Sequence, residues 1–168
     1  MRTTIIAISL LGLLGASGAT AKDKFLGKFD DWDASSTGAG KDHLCYVVAL
    51  PTKAADNEKP RGESSLMVYH APGDKKLNVV QFTAGLALKK DTGAALKIDQ
   101  KSVPLFVQGN KAWAKDAKTD AEIVAALKAG KTLTIESTSA KGAKLTDAYS
   151  LKGFAAAIKA ANEACGIK

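Results

Sequence analysis

The amino-acid sequence predicts a mainly β protein, an antiparallel β-sandwich or distorted barrel with two late helices, the C-terminal one packed on the sheet. Short apolar or alternating segments recur along the chain, separated by Gly-, Pro- and Asp-rich turns about ten residues apart, as in antiparallel all-β folds. Helical periodicity is confined to the last third of the chain. Because no repeat or linker interrupts this pattern, we expect a single domain over residues 22–168.

The first predicted strands lie between residues 44 and 83. Residues 44–50 (LCYVVAL) are an apolar run expected in the core. Residues 63–70 and 77–83 are strands joined by a turn at residues 71–74 (APGD). Upstream of them, residues 28–43 are rich in Asp, Ser, Thr and Gly, which indicates a lead-in segment that ends in a turn.

The middle of the chain predicts further short strands. Residues 85–99 are expected to form two of them around a turn at residues 91–93 (DTG). Pro104 makes residues 103–108 an edge strand or a bulge, because proline cannot donate a ladder hydrogen bond. Residues 109–110 (GN) then turn the chain into the next strand.

Two helices are predicted downstream. The first begins at a capping-box spacing in residues 119–122 (TDAE) and ends at Gly130. Residues 131–138 alternate between apolar and polar side chains, which indicates a half-exposed antiparallel strand. The second helix begins after Ser150 and ends near Cys165, and its apolar residues recur at three- and four-residue steps.

The first 21 residues have the order of a cleavable secretory signal peptide. A basic start at Arg2 is followed by an apolar stretch over residues 5–15 and by an A-x-A exit at residues 19–21. The alternative, an N-terminal membrane helix, needs about 20 apolar residues, and this stretch is shorter. We therefore expect cleavage after Ala21 and a mature chain without a transmembrane segment.

The chain is basic, with a formal net charge of +7, and this charge comes from lysine. Planar recognition of phosphates and bases favours arginine, so we expect no nucleic-acid partner. The charge instead suggests loose, peripheral attraction to the anionic outer-membrane surface. The candidate binding surface consists of Lys75, Lys76, Lys89, Lys90, Lys111, Lys115 and Lys118. The alternative is that these lysines are ordinary solvated residues that discourage strand pairing at edges and turns.

The two cysteines, Cys45 and Cys165, are predicted to form a disulfide. An even count in an exported protein favours a bridge, and two residues allow one connectivity. Cys165 falls on the apolar stripe of the second helix and Cys45 in the apolar run at 44–50. The alternative is a pair of unpaired buried thiols.

Chemistry-bearing motifs are weak. His43 and His70 are the two histidines, and neither belongs to a sequence motif for a catalytic triad. Two cysteines and two histidines also make a poor metal-ligand set, so we expect no metal, no cofactor and no catalytic residue. Trp113, between two alanines, is expected to be a core side chain rather than a ligand platform.

Three strings together resemble the invasion-associated locus B family of Gram-negative envelope proteins. They are residues 44–53 (LCYVVALPTK), residues 106–113 (FVQGNKAW) and residues 146–154 (TDAYSLKGF). The resemblance implies an exported, β-rich, non-catalytic protein of the periplasm or outer membrane, and some members are virulence-associated. It also implies that Cys45 and Cys165 are structural cysteines and that the chain belongs to a short, two-cysteine branch.

We therefore expect a secreted, non-enzymatic protein of the cell envelope, located in the periplasm or at the outer surface. It would act as a binding or accessory factor whose partner is an envelope or host-surface component, with a link to host-cell invasion. Two alternatives stay open at this point. One is a small periplasmic hydrolase that uses His43 or His70, and the other is a structural stabiliser of the envelope.

Overall fold

The computed structural model describes residues 23–91 and 93–167, which form ten strands and two helices. The strands are β1 (Lys24–Phe29), β2 (Trp32–Thr37), β3 (Leu44–Ala49), β4 (Ser65–Ala71), β5 (Lys76–Thr83), β6 (Ala94–Ile98), β7 (Lys101–Gln108), β8 (Lys111–Trp113), β9 (Leu133–Thr138) and β10 (Lys144–Tyr149). The helices are α1 (Ala117–Ala129) and α2 (Phe154–Ala164). The predicted signal peptide at residues 1–21 lies outside the described residues.

The strands form one antiparallel sheet in the order β1-β2-β3-β4-β5-β8-β7-β6-β9-β10. The mainly β prediction with two late helices is therefore confirmed. Strand β7 joins the two halves of the sheet, because its first residues pair with β6 and its last residues pair with β8. Pro104 lies opposite Ala95 of β6, before the segment paired with β8 begins, in agreement with the predicted edge position. Strand β10 is bridged to Lys53, so the last strand contacts the loop that follows β3.

The predicted lead-in at residues 28–43 is wrong for its first part, which forms most of the β1–β2 hairpin. Phe29 pairs with Trp32 across a two-residue turn, and Asp30 in that turn has a φ of 51°. Aspartate tolerates this left-handed conformation better than most residues, which permits the tight turn. Trp32 is fully buried, and its Nε1 donates a hydrogen bond to the Ser150 carbonyl oxygen at 3.0 Å.

The prediction of two strands within residues 85–99 is half wrong, because β6 forms but the segment before the turn is not a strand. Leu88 makes an isolated bridge with Ser139. The backbone N–H of Leu88 donates to Gly109, and that of Lys89 donates to Thr138. Gly109 and Thr138 belong to different segments, so residues 86–90 do not pair along a single strand and form no regular β-ladder.

Helix α1 begins earlier than the predicted capping box. Its N-cap is Asp116, whose carboxylate accepts from the Thr119 backbone N–H at 2.8 Å and from the Thr119 hydroxyl at 2.7 Å. Asp116 thereby satisfies donors that have no partner inside the helix. The capping-box prediction is wrong because Thr119 is the residue that is capped and not the cap itself. The other end of the helix is at Gly130, as predicted.

Helix α2 packs on the first strands of the sheet and carries the predicted disulfide. Its N-cap is Gly153 at a φ of 89°, and a Cβ at this position would lie 1.9 Å from the Phe29 carbonyl oxygen. Phe154 then packs edge-on against Trp32, with ring centroids 4.8 Å apart. At the other end of α2, Cys165 is bonded to Cys45 of β3 across 120 positions of sequence.

Buried side chains from both halves of the sheet and from both helices form one continuous core. Along β3, β4 and β6 the burial alternates strictly, so one face of each strand meets the core while the other faces outward. In the part of the chain that the structure describes, neither helix has the length and apolar character needed to cross a membrane.

Candidate ligand-binding groove

The outward face of the first half of the sheet carries a row of large side chains. Trp113 of β8 lies opposite Phe106 of β7 on one side and Gln81 of β5 on the other. Gln81 lies in turn opposite Met67 of β4, which lies opposite Val48 of β3. Because side chains alternate along a strand, the residues between them, such as Ala112, point into the core. The sheet therefore presents a partly apolar surface to solvent.

At one end of this row, side chains from β4, β5, β7, β8 and the start of α1 surround a cavity of about 350 Å³, here called the aromatic groove. Its lining includes three aromatic rings, two lysines and two carboxylates. These residues are Tyr69, Phe106, Trp113, Lys75, Lys76, Asp116 and Asp120, with Leu77, Val79, Gln108, Ala114 and Ala117 between them.

Two of the rings form an exposed platform. Phe106 and Trp113 stack with their centroids 5.5 Å apart and their planes inclined by 25°. Phe106 is 51 % exposed and Leu77, in the same groove, is 40 % exposed. Large apolar side chains held together at a surface mark sites where a ligand or partner covers them.

The base of the groove is organised by Asp120. Strand β8 pairs with β5 only over residues 81–83, so the backbone N–H of Val80 needs another acceptor, and Oδ1 of Asp120 provides it at 2.8 Å. Burial raises the pKa of Asp120, the bond from Val80 opposes this shift, and the charge of Asp116 adds to it. Asp120 therefore holds α1 against the sheet and places an acceptor in the groove.

Tyr69 supplies a hydroxyl beside that carboxylate. Burial raises the pKa of Tyr69, and the negative charges of Asp120 and Asp74 raise it further. The hydroxyl therefore stays protonated at neutral pH and can donate a hydrogen bond. The groove thus combines a stacking surface with a hydroxyl donor, carboxylate acceptors and cationic side chains.

A sequence profile described as "Invasion associated locus B (IalB) protein" matches residues 32–162. The chain belongs to the invasion associated locus B family. Among solved structures, the protein is similar to invasion associated protein B from Bartonella henselae, with 21 % identity and a TM-score of 0.58. The match covers 83 % of this chain and 97 % of that chain, and it supports the shared fold. A comparison with curated proteins found no match.

Five of the seven lysines predicted as a binding surface of this IalB-family protein lie in or beside the aromatic groove. Lys75 and Lys76 line the aromatic groove. Lys115 and Lys118 flank the groove, because both lie close enough to Asp116, which lines the groove, for their charges to interact with it. Lys111 is paired with Gln108, another groove residue. Of the remaining two, Lys89 donates its backbone N–H to Thr138 of β9, and neither Lys89 nor Lys90 is among the groove residues.

The two histidines of this IalB-family protein are not arranged as a catalytic triad within the described residues. His43 has its Nε2 at 3.6 Å from the Cys45 sulfur. His70 is fully buried, and its Nδ1 accepts from the Asn78 backbone N–H at 3.1 Å. Neither contact involves the carboxylate and hydroxyl that a hydrolase would need. The geometry therefore lends no support to the hydrolase alternative.

The environment of His70 is that of a neutral core side chain. Its Nε2 is buried, as is Oδ1 of Asn162 on α2, and neither atom has a partner with hydrogen-bond geometry among the described residues. Burial lowers the pKa of His70, the nearby Asn162 side chain opposes this shift, and Lys128 adds to it.

A buried ion pair between Arg61 and Asp147 was not predicted from the sequence. Asp147 is fully buried and accepts four hydrogen bonds, two of them from the Arg61 guanidinium. The signal was present, because Arg61 is the only arginine after the predicted signal peptide in a lysine-rich chain. A larger cavity of about 880 Å³ lies beside this pair. The charged groups of Arg61 and Asp147 are bonded to each other and are therefore not free to bind a ligand in this larger cavity. For this reason we place the candidate site at the aromatic groove.

Proposed function

We propose that this protein is an exported, non-enzymatic accessory factor of the Gram-negative cell envelope that binds acidic carbohydrate in the aromatic groove. The observation that carries the proposal is the exposed Phe106–Trp113 stack next to Lys75 and Lys76. Sugar rings offer apolar faces that pack on aromatic side chains, and their hydroxyls need both donors and acceptors. The lysines would then select carbohydrate that carries acidic groups.

Polar groups in the groove match the rest of such a ligand. The Tyr69 hydroxyl would donate to a sugar oxygen, and the carboxylates of Asp116 and Asp120 would accept from sugar hydroxyls. Asp116 already accepts two bonds from Thr119, and Asp120 accepts one from Val80, so both carboxylates are held in place before a ligand arrives. Such preorganisation lowers the entropy that binding costs.

Fluorescence of the protein provides a direct binding assay. Trp32 is fully buried and Trp113 is partly exposed, so a ligand in the groove would change the emission of Trp113 and its accessibility to a soluble quencher. The probes are purified lipopolysaccharide, a heparin oligosaccharide and neutral dextran. Lipopolysaccharide and heparin both carry acidic carbohydrate, and they represent the bacterial and the host surface respectively. Dextran is neutral and tests whether binding needs charge on the ligand.

Matched substitutions separate the groove from the overall charge. We expect Trp113→Ala to weaken binding of the acidic probes by at least about tenfold, or ~1.4 kcal/mol. We expect Lys75→Gln/Lys76→Gln to weaken binding and to reduce its salt dependence, because surface charge attraction is screened by salt. The control is Lys89→Gln/Lys90→Gln, which removes the same charge from two lysines that do not line the groove and should leave binding nearly unchanged. Equal losses in both lysine pairs, or equal binding of dextran, would refute the groove as an acidic-carbohydrate site.

Export is supported by the family and by the disulfide. A bond between Cys45 and Cys165 fits the oxidising envelope, because the cytoplasm keeps thiols reduced. We propose that the chain is cleaved after Ala21 and that residues 22–168 fold as one domain in the periplasm or at the outer surface. Cell fractionation followed by N-terminal sequencing of the mature protein tests this. A protein that keeps its first 21 residues and stays in the cytoplasm would refute it.

A further inference from the structure

One corner of the molecule brings His43, Cys45 and Cys165 together. Sγ of each cysteine and a ring nitrogen of His43 all lie within 4.8 Å of one another. Cys45 is buried, whereas His43 and Cys165 are partly exposed. This cluster lies outside the aromatic groove, and its chemistry is unrelated to carbohydrate binding.

We propose that reduction of the Cys45–Cys165 disulfide converts this corner into a binding site for Zn²⁺, with the two thiolates and the His43 imidazole as ligands. Thiolate sulfur and imidazole nitrogen are the ligands that Zn²⁺ prefers in proteins. No metal was expected from the sequence, because two cysteines and two histidines make a poor metal-ligand set. The fold nevertheless joins a His-x-Cys segment at the start of β3 to a cysteine 120 positions later.

One of the three separations between the ligand atoms already fits tetrahedral coordination. With Zn–S of about 2.3 Å and Zn–N of about 2.0–2.1 Å, a tetrahedral angle separates the sulfur from the nitrogen by about 3.6 Å. Nε2 of His43 lies 3.6 Å from the Cys45 sulfur. The two sulfurs of the same site would need to be about 3.8 Å apart, so they must separate on reduction, and the Cys165 sulfur, which lies within 4.8 Å of the His43 nitrogen, must take a position about 3.6 Å from it. Cys165 lies at the C-cap of α2, where the regular helix ends, so this separation does not require a helical turn to unwind.

An open cavity lies beside His43, and neither cysteine is among its lining residues. His43 lines an open cavity of about 340 Å³, and the carboxylates of Asp42 and Asp74 line the same space. Their negative charges favour the approach of a divalent cation, and Lys41 in the same wall opposes it. A water molecule from this cavity would complete the coordination of a zinc ion held by three protein ligands.

The steps balance with a dithiol as the reductant. The dithiol transfers two electrons and two protons to the disulfide, so that it becomes a disulfide itself and leaves two thiols at Cys45 and Cys165. Zn²⁺ then displaces the two thiol protons and forms two sulfur bonds and one nitrogen bond. The metal thus replaces the covalent bond between β3 and α2 while the protein is reduced.

The test compares oxidised protein with protein reduced by a phosphine, which is removed under anaerobic conditions before Zn²⁺ or Co²⁺ alone is added. We expect the oxidised form to bind no metal at this corner and the reduced form to bind one ion per chain. The Co²⁺ form should show the charge-transfer absorption of cobalt–thiolate bonds and the visible bands of tetrahedral geometry. Circular dichroism and thermal melting should show that zinc restores stability to the reduced protein.

Two substitutions identify the nitrogen ligand. Outer partners of metal ligands account for about 10–100-fold in affinity, so His43→Gln, which removes a direct ligand, should weaken binding at least that much. The control Asp42→Asn changes the neighbouring residue and should stay within a few-fold of the unsubstituted chain. The proposal is overturned if the reduced chain binds no metal, if it unfolds and zinc does not restore it, or if His43→Gln binds as tightly as Asp42→Asn.

Discussion

Asp147→Asn is a single substitution for which the structure predicts a large loss of stability. Asp147 is fully buried, and its partner Arg61 has a side chain that is only 7 % exposed. Oδ1 accepts from the Ala55 backbone N–H and from Nη1 of Arg61, each at 2.8 Å. Oδ2 accepts from Nη2 of Arg61 and from the Ser64 hydroxyl. The pair therefore ties the loop between β3 and β4 to β10.

The network continues through Tyr149. Its hydroxyl lies 3.0 Å from the Ser64 hydroxyl, and burial raises the pKa of Tyr149, so that it stays protonated. Because Ser64 donates its proton to Asp147, Tyr149 must donate to Ser64. Each oxygen of Asp147 accepts from two donors, so an asparagine at this position would place its NH₂ group against one of these pairs of donors. The substitution would also leave the Arg61 charge buried without a counter-charge.

The magnitude follows from the burial of both partners. Removal of one partner of a buried ion pair costs about 3–5 kcal/mol, because the other charge is left uncompensated. For a domain of this size, each kcal/mol lowers the melting temperature by roughly 2–4 °C, so we expect a drop of about 6–20 °C.

The assay is denaturant unfolding of the disulfide-bonded protein, followed by circular dichroism, with thermal melting as a second measure. The matched control is Asp33→Asn, which breaks the surface pair between Lys28 and Asp33, whose side chains are 66 % and 45 % exposed. Exposed pairs contribute about 0–1 kcal/mol, so this variant should unfold almost as the unsubstituted chain does. If Asp147→Asn loses no more free energy of unfolding than Asp33→Asn does, the buried pair does not stabilise the fold as argued.

Three further predictions concern stability. Burial lowers the pKa of His70 in the folded protein. As the pH falls through about 6.5, the unfolded chain therefore binds a proton at His70 while the folded chain does not. The free energy of unfolding should then fall by up to about 1.4 kcal/mol per pH unit. Unfolding at pH 7 and pH 5 should show that His70→Gln lacks this part of the slope, and an unchanged slope would contradict it. Asp116→Ala removes the α1 cap and should cost about 1 kcal/mol in urea unfolding, and no loss would mean that Thr119 is satisfied otherwise. Cys45→Ser/Cys165→Ser opens a loop of 120 positions and should cost up to about 5 kcal/mol, whereas an unchanged denaturation midpoint would show that the bond adds no stability.

The sequence predicted those parts of the fold that depend on local periodicity. An apolar run identified β3, a strand followed by an APGD turn identified β4, alternation identified β9, and three- and four-residue steps identified α2. The disulfide followed from the count of cysteines and from their positions in apolar segments. The β1–β2 hairpin was missed because its turn is made by Asp30 in a left-handed conformation and its second strand is rich in small and polar residues.

Trp113 shows where local reasoning was misapplied. Its alanine neighbours suggested a core position, yet Ala112 and Ala114 are the buried residues. Because side chains alternate along a strand, two buried neighbours place the residue between them on the outer face. The sequence alone could have indicated an outward tryptophan, although it could not have indicated its stack with Phe106.

By itself, the sequence determined a β-rich chain with two late helices, a disulfide between its two cysteines and membership of a recognisable family. The tertiary structure decided which side chains meet. Arg61 and Asp147 are 86 positions apart, and the aromatic groove is assembled from four strands and the start of α1. Periodicity shows which face of an element is buried, but only the order and register of the strands determine which faces become neighbours.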